Sequence, residues 1–98
     1  VVDVFAVVPA AESLPVVTPV LPRLRKEGLS VQMYASSSAD RATLKSQMKK
    51  ANACGAAFAF IFGADELAKN EVAIKNLEDG TQRTWPLADI GNWVQGYA

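Results

Sequence analysis

Residues 44–70, LKSQMKKANACGAAFAFIFGADELAKN, hold the pattern on which the fold turns. A lysine-bearing amphipathic segment runs into Gly55, an unbroken apolar run fills residues 56–62, and Gly63 opens an acidic turn. An apolar run this short, rich in phenylalanine and bounded by glycines, suits a strand covered on both faces better than a helix. Residues 57–62 are therefore expected to form a central strand. In the preceding segment Leu44, Met48 and Ala51 share one face of a helix over residues 40–54, with Ser38 or Asp40 as cap and Gly55 as the C′ residue. Arg41, Lys45, Lys49 and Asn52 make a second stripe, about a quarter turn away at about 100° per residue. Such a stripe sits beside the packing face, where it serves either as a solvated surface or as a contact for anions.

Working outward, VFAVVP at residues 4–9 is a second continuous apolar run, ended by Pro9, which cannot donate to a ladder. It predicts another central strand over residues 3–8. LSVQMY at residues 29–34 alternates instead, the mark of a strand nearer an edge. Between these two, Leu14, Val17, Leu21 and Leu24 fall on one helical face, and Gly28 ends the segment. Pro19 and Pro22 would each disturb an ideal helix by about 3 kcal/mol, so a kinked or locally 3-10 segment is expected. After Gly63 there is room for only a turn or two of helix. The Asp79-Gly80 pair, both positions tolerant of positive φ, predicts a hairpin with strands at 71–77 and 81–85. Pro86 suits the first turn of a last helix bearing Leu87, Ile90, Val94 and Tyr97 on one face.

The element order is β-α-β-α-β, then a hairpin, then a helix. Right-handed crossovers put the first strand between the second and third, which predicts a three-layer α/β/α fold in a single domain over residues 1–98. Its mixed five-stranded sheet has a parallel core of strands 2-1-3 plus the C-terminal hairpin, with about three main helices. In such a sheet ligands bind where the winding reverses, between strands one and three. The stretches Pro9–Ser13, Ala35–Asp40 and Gly63–Glu66 would line that crevice.

Composition limits what the crevice does. The chain has 98 residues, half of them apolar, and its ten basic and ten acidic residues cancel. No overall field attracts nucleic acid, so RNA binding would rest on local charge and DNA is not expected as a partner. The apolar runs are too short for a membrane span and no signal-peptide pattern is seen, which reads as cytoplasmic. The apolar start at Val1, without methionine, reads as a boundary. With no histidine and Cys54 as the one cysteine, the sequence offers no disulfide and no metal cluster, and catalysis is not expected. Cys54 reads as a small core residue. Dinucleotide binding would need a glycine-rich turn after the first strand, and PAAES has none. Asp3, Glu12, Asp65 and Glu66 lack a catalytic or metal-binding spacing.

Single-stranded RNA recognition needs cations for phosphates, flat side chains for bases, and carboxylates or amides for base edges. The crevice holds all three kinds. Lys45, Lys49 and Lys75 are the phosphate candidates; Glu12, Tyr34, Asp65 and Glu66 are the base candidates, although Tyr34 could equally cover core.

The stretch LKSQMKKANACGAAFAFIFGADELAKNEVAIKNLEDGTQ, residues 44–82, resembles the C-terminal anticodon-binding domain of bacterial histidyl-tRNA synthetases, which are class II aminoacyl-tRNA synthetases. The likeness extends from VDVF to PLADI and departs at the proline-bearing first helix. It aligns Lys45 and Gln47, with Lys49 beside them, to a helix motif, Gly63, Asp65 and Glu66 to a post-strand turn, and Glu71 and Lys75 to the strand that follows. The resemblance implies a domain that holds the tRNA anticodon stem-loop and is not itself catalytic. A separate catalytic domain of the same chain would join histidine to its tRNA using ATP and Mg, in a homodimer. The family also includes paralogues that regulate histidine biosynthesis, where such a domain would serve protein interaction; the lysine and acidic-turn motifs favour tRNA.

Overall fold

The computed structural model describes residues 2–9, 13–33 and 44–97. All four residues of β1 (Val4–Val7) are buried. Val4 and Ala6 join a cluster with Val17, Leu24, Phe60 and Ile90, whereas Phe5 and Val7 join one with Ala51 and Ala59. Both faces of the strand are therefore dry, which explains its lack of alternation. β2 (Val31–Met33) and β3 (Phe58–Ile61) flank it in parallel, and β4 (Glu71–Asn76) and β5 (Gln82–Pro86) extend the sheet antiparallel. The order is β2-β1-β3-β4-β5, the five-stranded arrangement expected from the sequence.

The first helical segment is broken in two, α1 (Leu14–Val17) and α2 (Val20–Lys26). Thr18 closes α1 by donating from both N–H and Oγ1 to the Leu14 carbonyl, at 2.9 and 2.7 Å. Pro19 then serves as the N-cap of α2. The break places Pro15 and Pro22 in the first turns of their helices, where an N–H has no intrahelical acceptor to lose. Val17, Val20, Leu21 and Leu24 still reach the core.

α3 (Leu44–Ala53) covers the opposite face of the sheet, over β1. It ends at Gly55, whose φ of 77° supplies the left-handed turn that lets Ala56 N–H reach the Ala51 carbonyl. α4 (Ala64–Ala68) is the short helix after β3, packed beside β4. A 3-10 turn (Leu87–Asp89) leads into α5 (Ile90–Tyr97) on the α1/α2 face. Pro86 lies one step before that turn, as the end of β5, rather than inside the helix. Trp93, absent from the stripe read in the sequence, is buried with Ile90 and Val94, while Tyr97 stays exposed.

The hairpin strands form as expected, yet the turn differs. The β4–β5 ladder ends at Lys75↔Gln82, and Asn76 N–H bonds the Thr81 carbonyl, so the connection is longer than two residues. Gly80 has φ 78°, but Asp79 is not in the left-handed region. Instead, Asn76 Oδ1 accepts from the N–H groups of Glu78 and Asp79, and Asp79 Oδ1 accepts from Thr81 N–H and Oγ1. These bonds hold the Asp79 carboxyl below its ordinary value of 3.8, the Thr81 side chain contributing most. Among the described residues no helix is long and apolar enough to cross a membrane.

Candidate functional site

The ends of β1 and β3 lie side by side, because Phe62 N–H donates to the Val7 carbonyl at 2.9 Å. The topology therefore brings Pro9 and Gly63 to one end of the sheet, as the crevice requires. What fixes α3 against that end is Gln47. Val4 N–H bonds Ser30 O of the β2 side and Val7 O bonds the β3 side, so alternation turns the Val8 peptide groups toward β2. Among the described residues the β1–β2 register runs to Ala6↔Met33. Beyond it the Gln47 carboxamide takes both groups: Val8 N–H donates to Oε1 and Nε2 donates to Val8 O, each at 2.9 Å.

This corrects the sequence expectation for Gln47. Its side chain is fully buried and presents no surface to RNA, since the donor and acceptor ends of the amide both satisfy a strand. Its role is to set the position of α3. The signal was present in the spacing: Leu44, Gln47, Met48 and Ala51 stand at i, i+3, i+4 and i+7, so Gln47 falls within the packing stripe.

Lys45 and Lys49 are exposed, one helical turn apart. Lys49 and Lys50 border a shallow hollow of about 380 Å³ with Ser46 and Ala53. Lys75 pairs with Ala59 and Gln82 across the ladders. Because Ala59 packs in the cluster with Ala51 of α3, Lys75 lies on the α3 face of the sheet, and so, by the period of two, does Glu71. Both are half-buried, whereas Gln82 and Thr84 on the same face of β5 are exposed. The face beside α3 thus has an uncovered strip with a cation and a carboxylate along it. Asp65 is exposed and Glu66 half-buried in the first turn of α4. Glu66 folds back over Gly63, where an added Cβ would stand 3.0 Å from its Oε1.

Among the described residues the side chains of Lys45, Lys49, Lys75, Asp65, Glu66 and Glu71 make no hydrogen bond or ion pair with the protein. They are available to a ligand. Glu12, Tyr34 and Arg41 lie outside the described residues. Asp3 is structural: it accepts from Ser30 N–H at 2.9 Å and from the Tyr97 hydroxyl at 3.2 Å. Burial, then the bond to Asp3 and its charge, pushes the Tyr97 hydroxyl above its ordinary 10.0. Cys54 is half-buried at the end of α3, its thiol bonded to the Ala51 carbonyl. Among the described residues no three acidic or cysteine side chains gather as a metal ion would need.

A family model described as "Anticodon binding domain" matches residues 2–97. A histidine–tRNA ligase of Acidovorax ebreus is 50% identical over 95 residues, covering 94% of this chain and 22% of that protein. Another, of Paraburkholderia phymatum, is 40% identical over 79 residues, covering 74% of this chain and 18% of that one. The structure of apo histidyl-tRNA synthetase from S. aureus superposes with a TM-score of 0.82 at 26% identity, over 96% of this chain and 23% of that one. The Nostoc histidyl-tRNA synthetase gives 0.82 at 28% identity, over 99% and 23%. The chain spans about a fifth of the length of the curated relatives it matches.

Proposed function

The chain belongs to the anticodon-binding-domain family, and on that premise we propose that it is the tRNA-recognition module of a histidine–tRNA ligase. It binds the anticodon stem-loop along the α3 face of the sheet. Lys45 and Lys49 on α3, and Lys75 across the uncovered strip, contact phosphates. Asp65 and Glu66 after β3, with Glu71 at the start of β4, accept hydrogen bonds from base amino and imino groups. Glu12 and Tyr34 belong to the base-reading set by their place in the sequence. The observation that carries this reading is the uncovered sheet face beside a helix with three lysines and no acid, held against the end of β1 by Gln47.

Joining histidine to tRNA belongs to a catalytic domain elsewhere in the longer protein. ATP and Mg act there, and the protein is a cytoplasmic homodimer. The residues of this chain contribute binding and orientation only. The relatives reported above are named as ligases, which favours tRNA over a regulatory role.

The test is a titration of the full-length ligase with its tRNA over a range of salt. Lys45→Ala with Lys49→Ala weakens binding and flattens the log-affinity against log-salt slope by about 0.7 to 0.9 per lost contact. Unchanged affinity and slope would remove α3 from the interface. Anticodon substitutions in an isolated stem-loop give the complementary arm, and indifference to them would remove the domain from anticodon reading.

A further inference from the structure

The sheet face opposite α3 carries a cleft that the tRNA reading does not use. Register places Arg83 opposite Ile74 and Trp85 opposite Val72, on the face where Val72 and Ile74 pack with Phe60. α5 lies over β3 on this face, with Trp93 edge-on to Phe58 and Phe60 at 4.9 and 5.1 Å. Between α5 and β5 are two hollows of about 450 and 300 Å³. They share Phe58, Arg83 and Trp93, and so form one cleft.

Its lining is rich in donors. Trp93 is 9% exposed, and among the described residues its indole N–H has no acceptor. The Trp85 indole, by contrast, donates to the Asp89 carbonyl at 3.0 Å. A polar group this buried and unpartnered is rare enough to need an explanation. Arg83 holds its guanidinium 4.8 Å over the Trp85 ring, and among the described residues that guanidinium makes no hydrogen bond or ion pair. Among the described residues no carboxylate side chain lines either hollow.

The unsatisfied partners therefore call for an acceptor, and the charge calls for an anion. A nucleic-acid strand fits poorly. Trp93 is stacked on Tyr97 at 5.5 Å, Arg83 covers Trp85, and Phe58 is edge-on to both Trp93 and Tyr97, so no series of bare rings awaits bases. One guanidinium is also too little charge to follow a phosphate backbone. A planar cation and an unpartnered indole lining one cleft with Phe58 and Ile74 match a single carboxylate on an apolar body.

We propose that this cleft is a carboxylate-binding site separate from the tRNA face. Arg83 pairs with the anion, the Trp93 N–H donates a further hydrogen bond, and Phe58 and Ile74 receive the hydrocarbon part. The carboxylate belongs either to a free organic acid or to an Asp or Glu side chain of a protein segment.

Indole ¹H–¹⁵N resonances of the chain, assigned with Trp85→Phe, report the site directly. Hexanoate and acetyl-Leu-Asp-Leu-amide are titrated beside their neutral counterparts, hexanamide and acetyl-Leu-Asn-Leu-amide. Saturable movement of the Trp93 resonance with an acid and not with its amide supports the site. Tighter binding of hexanoate identifies a small-molecule site, and tighter binding of the peptide a protein-docking site. Arg83→Gln, at an exposed position, weakens the response by roughly tenfold or more, and Lys45→Ala leaves it unchanged. The proposal is overturned if neither acid gives a saturable response, if acid and amide act alike, or if Arg83→Gln binds as the parent does.

Discussion

Replacing Gln47 by leucine tests whether one side chain holds α3 to the sheet. Leucine has nearly the same reach, so packing is largely kept while both 2.9 Å bonds to Val8 are lost. The site is fully buried, so water cannot take their place without the helix moving. Each of these buried hydrogen bonds contributes about 0.5 to 1.5 kcal/mol net, and the more apolar side chain offsets part of the loss, leaving roughly 1 to 2 kcal/mol. Against the roughly 5 to 15 kcal/mol typical of a domain, this is a large fraction. Urea unfolding should show a lower midpoint at constant slope. Thermal unfolding should fall by roughly 4 to 15 degrees. Gln47→Glu separates hydrogen bonding from size. Its carboxylate can accept from Val8 N–H but repels the Val8 carbonyl, and only the protonated acid restores both bonds. Burial raises the folded-state pKa of that glutamate, so the variant is most stable below about 4.3 and loses stability as pH rises through the folded value. If Gln47→Leu lies within about 0.5 kcal/mol of the parent, the clamp does not position the helix.

Two titrations give further checks. The raised Tyr97 value means that the unfolded chain loses this proton first as pH climbs past 10. Stability attached to the neutral hydroxyl is complete below that point and declines up to the folded value. Tyr97→Phe should remove this part of the alkaline decline, measured as the difference between paired unfolding curves. Asp79 has the opposite sign: its lowered value stabilises the hairpin turn above the ordinary 3.8 and is lost as pH falls through the folded value. The gap between the parent and Asp79→Ala should close on acidification, with hydrogen exchange at the Thr81 amide as the local readout; a gap independent of pH would refute the assignment.

The architecture was legible because its main signals are local and redundant. Two apolar runs too short for a helix, without alternation and bounded by proline or glycine, favour strands with both faces covered, and the strand order follows from the crossovers between them. The break in the first helix was equally legible, since Pro19 has no N–H to give. The hairpin turn was misread where a side chain replaces backbone geometry: Asn76 captures two amides, and the Asp-Gly pair alone carries no trace of that. Gln47 entered the site set through the family resemblance, and its bonds to Val8 at the end of β1 depend on a helix–strand contact that no local pattern contains. Trp93 belongs with Ile90, Val94 and Tyr97 at helical spacing, but its position between β3 and the β5 cleft depends on pairings that no local pattern contains.

The placement of Pro15, Pro19 and Pro22 at helix starts has a consequence away from the native contacts. A ring at a position whose φ it already prefers removes conformations mainly from the denatured ensemble, at about 0.4 to 1 kcal/mol each. The α1–α2 segment therefore draws part of its stability from what the unfolded chain is prevented from exploring. Alanine, a better helix former by propensity, would make this segment weaker.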